Sequence, residues 1–419
     1  LVALCILSGV LGSFASTAAW RASVPRHLGP YTGLACLKSD PAPRGSATVV
    51  TFEIDGERFE AWARGSARRR VSTHLAGECA AITGTRRPMF GADGRRAAVR
   101  HVVGALQLQV VGDWSVGNAF DRASNRVRRL FAVGASSLRA PDDSLFGGLV
   151  IGDDRNEPTA TVTQFRESGL SHLTAVSGQN VAYVLAAGSP LLRRLRPRAR
   201  WLATLALITW FAALTRFEPS VLRASVMAGI SATGYVLGRE RPATRVLTLA
   251  VALLVLVDPF LVWSVGFWLS VGATCGVAVI GTALAEYLPG PRWLALPAAV
   301  TIGAQCGVAP VSLAVFGTLP IVSIPANLLA VPVAGFVMLY GLPAGLLAGA
   351  FPVGFGSVVA RCIQLPSAIG TRWVAVVAAL GSRVEPAPVW AASGWILLSL
   401  ALGARVVSVR RRRICQGVQ

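Results

Sequence analysis

The sequence predicts an α-helical polytopic membrane protein of about ten spans that carries a small extracytoplasmic β-barrel domain. Three observations lead there. Hydrophobic residues make up 53% of the 419-residue chain and charged residues only 14%, with a mean hydropathy of +0.57; a soluble domain carries about 25% charge. The apolar residues gather into long segments, interrupted by one polar insert over residues 21–140. Arginines recur in alternate short loops, the pattern that orients membrane spans. An ordinary cytosolic enzyme, an acidic disordered protein and a disulfide miniprotein are excluded. Forty basic against twenty acidic residues, net +20, leave a membrane protein with an anionic partner: headgroups, nucleic acid or both.

Leu1–Trp20 is apolar and uncharged, about long enough to cross a bilayer, and lacks the flanks of a cleaved signal. Residues 21–112 contain strand-like runs at Ala47–Ile54, Arg58–Arg64, Glu78–Thr83 and His101–Val111. Turn signals at Asp55-Gly56, Gly65-Ser66 and Ala92-Asp93-Gly94 separate them. Short strands at this density suggest an OB-like barrel. The insert holds 19 basic and 9 acidic residues, net +10; the remainder holds 21 and 11, again +10 but spread over a longer stretch. Two of the seven cysteines, Cys36 and Cys79, fall in the insert. Their compartment permits a disulfide, which would staple a modest core.

In residues 113–140, Phe120, Ala123, Val127, Leu130 and Phe131 recur at helical spacing with Arg122, Arg126, Arg128 and Arg129 between them. This reads as an amphipathic helix in the headgroup plane, or as a helix packed on the barrel. Residues 141–409 hold nine further apolar segments, near 170–192, 200–216, 220–238, 245–261, 264–285, 295–317, 325–349, 354–380 and 389–408. Leu145–Gly152 is too short to span and reads as re-entrant. The loops Arg193–Arg200 and Arg239–Arg245 and the basic tail 410–419 are expected to be cytoplasmic. Thr215–Pro219, Asp258–Trp263 and Thr318–Ser323 are expected outside, with the 21–140 insert.

Polar side chains and broken helices are costly in hydrocarbon and tend to line a cavity or pathway. Four places qualify. Ser171, His172, Ser177, Gly178, Gln179 and Asn180 form the densest polar stretch within a span. On one continuous helix His172 and Gln179 share a face, continued by Ser168 and Ala175, which either lines a path or packs helices. Arg223 lies one turn past Glu218-Pro219; it either snorkels to the surface or presents a fixed positive charge to a phosphate path. Ser270 and Thr274 share a face at i,i+4, and nearby Asp258 fits a helix or turn cap. Gln305 and Asn327 sit among Pro310, Pro325 and Pro332, in the manner of a broken helix. The four histidines are scattered and no zinc spacing occurs, so no metal or cofactor is expected.

The run Gly169-Leu-Ser-His-Leu-Thr-Ala-Val-Ser-Gly-Gln-Asn180 resembles the G-L-S-H-L-L-A-[IV]-S-G-x-[HN] signature of the ComEC family of competence channel proteins. Leu149–Asp153, Pro219–Ala224, Gly238-Arg239, Asp258-Pro259, Gly266–Ser270, Asn327 and Pro332 are similar to further family elements in the same order, so the resemblance covers about residues 40–340. It implies a multi-pass protein of the bacterial inner (plasma) membrane that passes single-stranded DNA into the cytoplasm during transformation. Asn180 stands where the family usually has His. Many members end in a metallo-β-lactamase-like nuclease domain whose metal motif is not in this sequence; a transport role without enzymatic activity is expected. DNA would first meet the insert, through Arg58, Trp62, Arg64, Arg68, Arg69, Arg70, Arg86 and Arg87, with Phe52, Phe59 and Phe90 as stacking candidates. No Walker loop occurs. A cytoplasmic helicase-like ATPase or a proton gradient is therefore expected to drive transport, with Arg193–Arg200 as a candidate docking loop and an extracytoplasmic DNA receptor as a further partner. The rival readings are a secondary transporter of a small anionic solute and a polytopic lipid-modifying enzyme. The enzyme would have to use the acidic cluster Asp142, Asp143, Asp153, Asp154 and Glu157.

Overall fold

A computed structural model describes residues 16–174, 177–351 and 355–416. Most of the expected Leu1–Trp20 span lies outside the described residues; residues 16–22 form a helix, α1. A six-stranded sheet follows: β1 (Gly29–Leu37), β2 (Ala42–Arg44), β3 (Ala47–Ile54), β4 (Glu57–Ala63), β5 (Cys79–Pro88) and β6 (Val102–Ser115). Its order is β1-β5-β6-β4-β3-β2, and a short extra pairing joins Cys36 and Leu37 of β1 to Glu53 and Phe52 of β3. Only β4 and β6 run parallel. Alternate residues point to opposite faces of a strand. On that register Val50, Phe52 and Ile54 of β3 meet Phe59, Leu37, Ile82 and Leu106 in one core. Phe52 and Phe59 are fully buried, so burial rather than stacking on a ligand accounts for them. A disulfide joins Cys36 to Cys79 across β1 and β5.

Two of the expected turns are helices instead. Gly65 and Gly91 take left-handed backbone angles, φ +54° and +64°, at strand-to-helix corners, and α2 (Gly65–Val71) and α3 (Gly91–Ala98) follow. In both places the glycine marks the corner of a helix and not a hairpin.

The first helix after the sheet, α4 (Ala119–Ala135), is capped by the Asn118 side chain, which accepts from the Asp121 N–H at 2.8 Å. Then come α5 (Asp142–Ile151), α6 (Thr159–Glu167), α7 (Ser171–Thr174), α8 (Gly178–Leu192), α9 (Pro197–Leu214), α10 (Pro219–Val236) and α11 (Ala243–Val257). A 3-10 turn at Pro259–Trp263 leads to α12 (Val265–Gly276), a π-helical segment (Val277–Gly281) and α13 (Thr282–Leu284). The chain continues through α14 (Arg292–Phe316), α15 (Ser323–Gly349), α16 (Phe355–Val384) and α17 (Pro388–Gln416). Five described segments are long and apolar enough to cross a membrane: Val265–Leu284, α14, α15, Val358–Val384 and Pro388–Val409. The remaining expected spans are shorter or more polar: α8 and α11 have 15 residues, and α9 opens with Arg198 and Arg200.

Two sequence expectations change here. The 170–192 segment is broken between α7 and α8, so His172 and Gln179 do not share a helical face; Ala175 lies outside the described residues. Around Asn327 the helix is unbroken: α15 runs through Pro332 and Pro343 for 27 residues. The Asn327 amide donates to the Ser323 carbonyl one turn back (2.7 Å), a local bond that sits beside the proline-interrupted ladder.

Finally, α4 packs chiefly against α15. Its buried stripe of Ser124, Asn125, Arg128, Phe131 and Ala135 docks inward. A Cβ on Gly134 would collide with the Gly345 carbonyl, and one on Gly349 with the Leu130 carbonyl. Small residues let the two helices approach at backbone distance. The pairs Gly134–Gly345 and Leu130–Gly349 also make the helices antiparallel, so α15 ends on the side of the bundle that carries the sheet. Strict alternation of spans would put that end opposite. Gly134→Leu should destabilise the protein by about 2 kcal/mol or more through overpacking, read as a lowered melting temperature in detergent. Wild-type stability would contradict this packing.

Candidate functional site

Two arginine-centred groups stand out, and they are built oppositely. The first joins the sheet to the helices. Arg128 on α4 is 4% exposed and reaches Asp40 (3.1 Å), Asp153 (3.3 Å) and the Leu214 carbonyl (2.8 Å). Arg216, in the α9–α10 turn, forks onto both Asp40 oxygens (3.1 and 2.8 Å) and donates to Asn125 (2.7 Å). Arg155 forks onto Asp153 with two 2.6 Å bonds. Bidentate guanidinium–carboxylate pairs are the strong class of charged hydrogen bond. Asp40 also accepts from the Ala76 N–H at 2.8 Å. Burial alone would raise the Asp40 carboxyl, but Arg128 and Arg216 pull it down to about 2. A second bridge runs from His101 to Asp258 (2.9 Å), whose other oxygen accepts from the Phe260 N–H.

The second group lies among α8, α10 and α12. Arg223, one turn into α10, is 5% exposed. Its Nε donates to the Ser270 hydroxyl at 2.9 Å, Nη1 lies 3.0 Å from the Met227 sulfur, and Nη2 abuts Gly178, where a Cβ would leave it only 2.9 Å away. No carboxylate pairs with it among the described residues. Snorkelling does not describe this side chain, because it turns inward. Thr274 bonds back to the Ser270 carbonyl (3.0 Å). Beside this group, Ser177 donates to Asn180 (3.3 Å), Asn180 to the Leu149 carbonyl (3.5 Å) and Gln179 to the Tyr183 hydroxyl (2.7 Å). These residues border a cavity of about 10 Å³, room for about one water.

The fold therefore brings Gly178, Arg223 and Ser270 together, with Ser177, Gln179 and Asn180 adjoining. Ser171 and His172 lie on the exposed side of α7. Gln305 lies on α14, which meets α12 through glycine contacts at Gly272–Gly307 and Gly276–Gly303. Asn327 is buried on α15. Sequence reading missed Asp40, Asn125, Arg128 and Tyr183. The available signal was that Asn125 and Arg128 fall on the same helical stripe as Phe131.

On the sheet, Trp62 and Phe90 are exposed. The side chains of Arg58, Arg64, Arg69 and Arg87 form no hydrogen bond or ion pair among the described residues. The others are engaged: Arg86 pairs with Asp55 (3.1 Å) over the Tyr31 ring, Arg68 donates to the Gly45 carbonyl (3.4 Å) and Arg70 to the Val111 carbonyl.

Residues 149–411 match the competence protein family. The chain belongs to that family. The chain is 31% identical over 226 residues to ComE operon protein 3 of Bacillus subtilis (strain 168), covering 53% of the chain and 28% of the relative. It is 27% identical over 214 residues to the uncharacterized protein YcaI of Escherichia coli (strain K12), covering 47% of the chain and again 28% of the relative. No solved structure matches. The family match starts at Leu149 in α5, so the competence protein's sheet lies outside it, while the Arg223 group lies within.

In the loop after α5, burial with Asp154 and Asp153 pushes Glu157 up to about 8. Burial and Asp153 likewise raise Asp154. Asp40 and Glu157 give stability two pH limbs. The Asp40 contribution is complete above 3.8 and lost as pH falls towards about 2. The contribution of protonated Glu157 is complete below 4.5 and lost as pH rises through about 8. Stability should therefore fall between pH 4.5 and 8, and Glu157→Gln should flatten that limb in thermal unfolding. An unchanged slope in the variant would assign it to other groups.

Proposed function

We propose that this chain forms the membrane passage through which single-stranded DNA enters the cytoplasm in natural transformation. The observation that carries the reading is Arg223: an inward-turned, buried cation with no carboxylate partner among the described residues, set where three family-like motifs meet. A buried charge without a counter-charge is costly, and it is retained where a mobile anion uses it. Phosphates of a passing strand supply that anion. On this reading the 10 Å³ cavity beside Asn180 is the closed form of the passage, and α8 must part from α5 and α15, which line it, for a strand to pass. Family membership and the name of the Bacillus relative support DNA uptake as the process.

The sheet domain is the expected first contact. Its pairing β1-β5-β6-β4-β3, returned to β1 by the short β1–β3 contact, fits a five-stranded OB-like barrel. Such barrels hold strands by stacking and charge. Trp62, Phe90 and the unengaged Arg58, Arg64, Arg69 and Arg87 supply both. On this reading the sheet lies outside the bacterial inner membrane and the arginine-rich Arg193–Arg200 loop inside, available to a helicase-like motor. Transport of a small anionic solute also accommodates Arg223, but leaves the sheet's cations and exposed aromatics without a role.

In a transformable host that depends on this chain, Arg223→Gln should lower uptake of labelled DNA at least tenfold at normal protein level, while Arg223→Lys keeps part of it. Unchanged uptake in the Gln variant would overturn the passage. For the full chain binding a dT oligonucleotide, Arg64→Gln with Arg69→Gln should weaken affinity and reduce the salt slope by about 1 for each phosphate no longer neutralised. Weaker affinity with an unchanged salt slope would remove these arginines from the DNA interface.

A further inference from the structure

A groove of about 440 Å³ runs between α4 and the segment that links β6 to it. Three arginines of α4, Arg122, Arg126 and Arg129, line it at spacings of four and three residues, which stacks them on one helical face. Arg129 is held by Glu78. Arg122 makes one long bond to the Gly117 carbonyl (3.4 Å), and Arg126 has no partner among the described residues. Glu78 is the groove's one acid, and it already receives Asn125 (3.3 Å) and His74 (2.6 Å) as well as Arg129. Arg122 and Arg126 therefore face the groove without a counter-charge.

The far end of the groove is apolar. Leu130 and Val133 line it, and Val133 is 57% exposed; Val116, 71% exposed, lines the groove from the β6–α4 link. The order along α4 matters. Cations occupy the turns nearest the sheet, and apolar side chains follow where the helix packs on the end of α15. A ligand that satisfies both ends is charged at one end and apolar at the other.

We propose that this groove binds an anionic phospholipid, with its headgroup phosphate between Arg122 and Arg126 and the first part of its chain along Leu130 and Val133 towards α15. Guanidinium–phosphate pairing supplies the polar recognition. A nucleic-acid strand, charged throughout its length, is the poorer match, because the groove has cations at one end only. The site is separate from Arg223 and from the sheet's outward arginines, so it stands whether or not the DNA passage does. Its effect is to tie α4, and through α4 the sheet, to the membrane surface.

The full chain in neutral detergent tests this with four probes: phosphatidylglycerol, phosphatidylcholine, inorganic phosphate and a dT oligonucleotide. Phosphatidylglycerol should raise the melting temperature by several degrees and survive as an adduct in native mass spectrometry, and phosphatidylcholine should do neither. Arg122→Gln with Arg126→Gln should lose at least half of that shift, while Arg95→Gln with Arg96→Gln on exposed α3, which removes equal charge, keeps it. Equal loss in the α3 control would make the effect general electrostatics and overturn the site. So would the same shift from inorganic phosphate alone, or displacement of the lipid by the oligonucleotide from the wild-type chain. The wild-type competition decides the matter even if the double variant fails to fold.

Discussion

The salt-bridged cluster around Asp40 is the constraint on which the rest of the structure depends. Asp40 belongs to the sheet, Arg128 to α4, Arg216 to the α9–α10 turn and Asp153 to the loop after α5, and all four meet in one place. Buried ion pairs contribute little net stability when made, yet removing one partner costs about 3–5 kcal/mol because it strands the other. That asymmetry makes them devices for fixing geometry. Here they fix the sheet domain against the start of α10, one turn before Arg223.

Arg128 and Arg223 show how one residue type serves two ends. Both are nearly fully buried. Arg128 is neutralised by two carboxylates and also donates to a carbonyl, so it holds elements together. Arg223 has a hydroxyl and a thioether sulfur, neither of which neutralises it. In a low-dielectric interior the first arrangement is neutralised and the second leaves a charge without a counter-charge among the described residues.

Much of this is legible in the sequence, and the misses have physical causes. The run Ala47–Ile54 reads as a strand with its observed bounds because alternation with a half-buried face is a strong signal. β1 escapes such a reading: Gly29 and Gly33 dilute its pattern, and its outer face is exposed. Hydropathy locates the long helices α14 and α15 well, because greasiness along a span is a local property. In residues 170–261 the apolar segments form helices of 15–18 residues, shorter than the five long apolar segments. Arg223 can be singled out by its depth past Pro219, but not its partner. Ser270 lies 47 residues away, and only the packing of α10 on α12 joins them. The Asp40 cluster is illegible for the same reason, since its bonds span up to 176 residues.

The central claim is that DNA passes beside the break between α7 and α8. A photo-crosslinking side chain at Gln179, during uptake of labelled DNA by living cells, tests it most directly, with the exposed Leu329 on α15 as the comparison site. The account predicts DNA adducts at 179 that appear during uptake and vanish when unlabelled DNA is in excess, with none at 329. Equal labelling at both positions, or none at 179 while uptake proceeds, would contradict it.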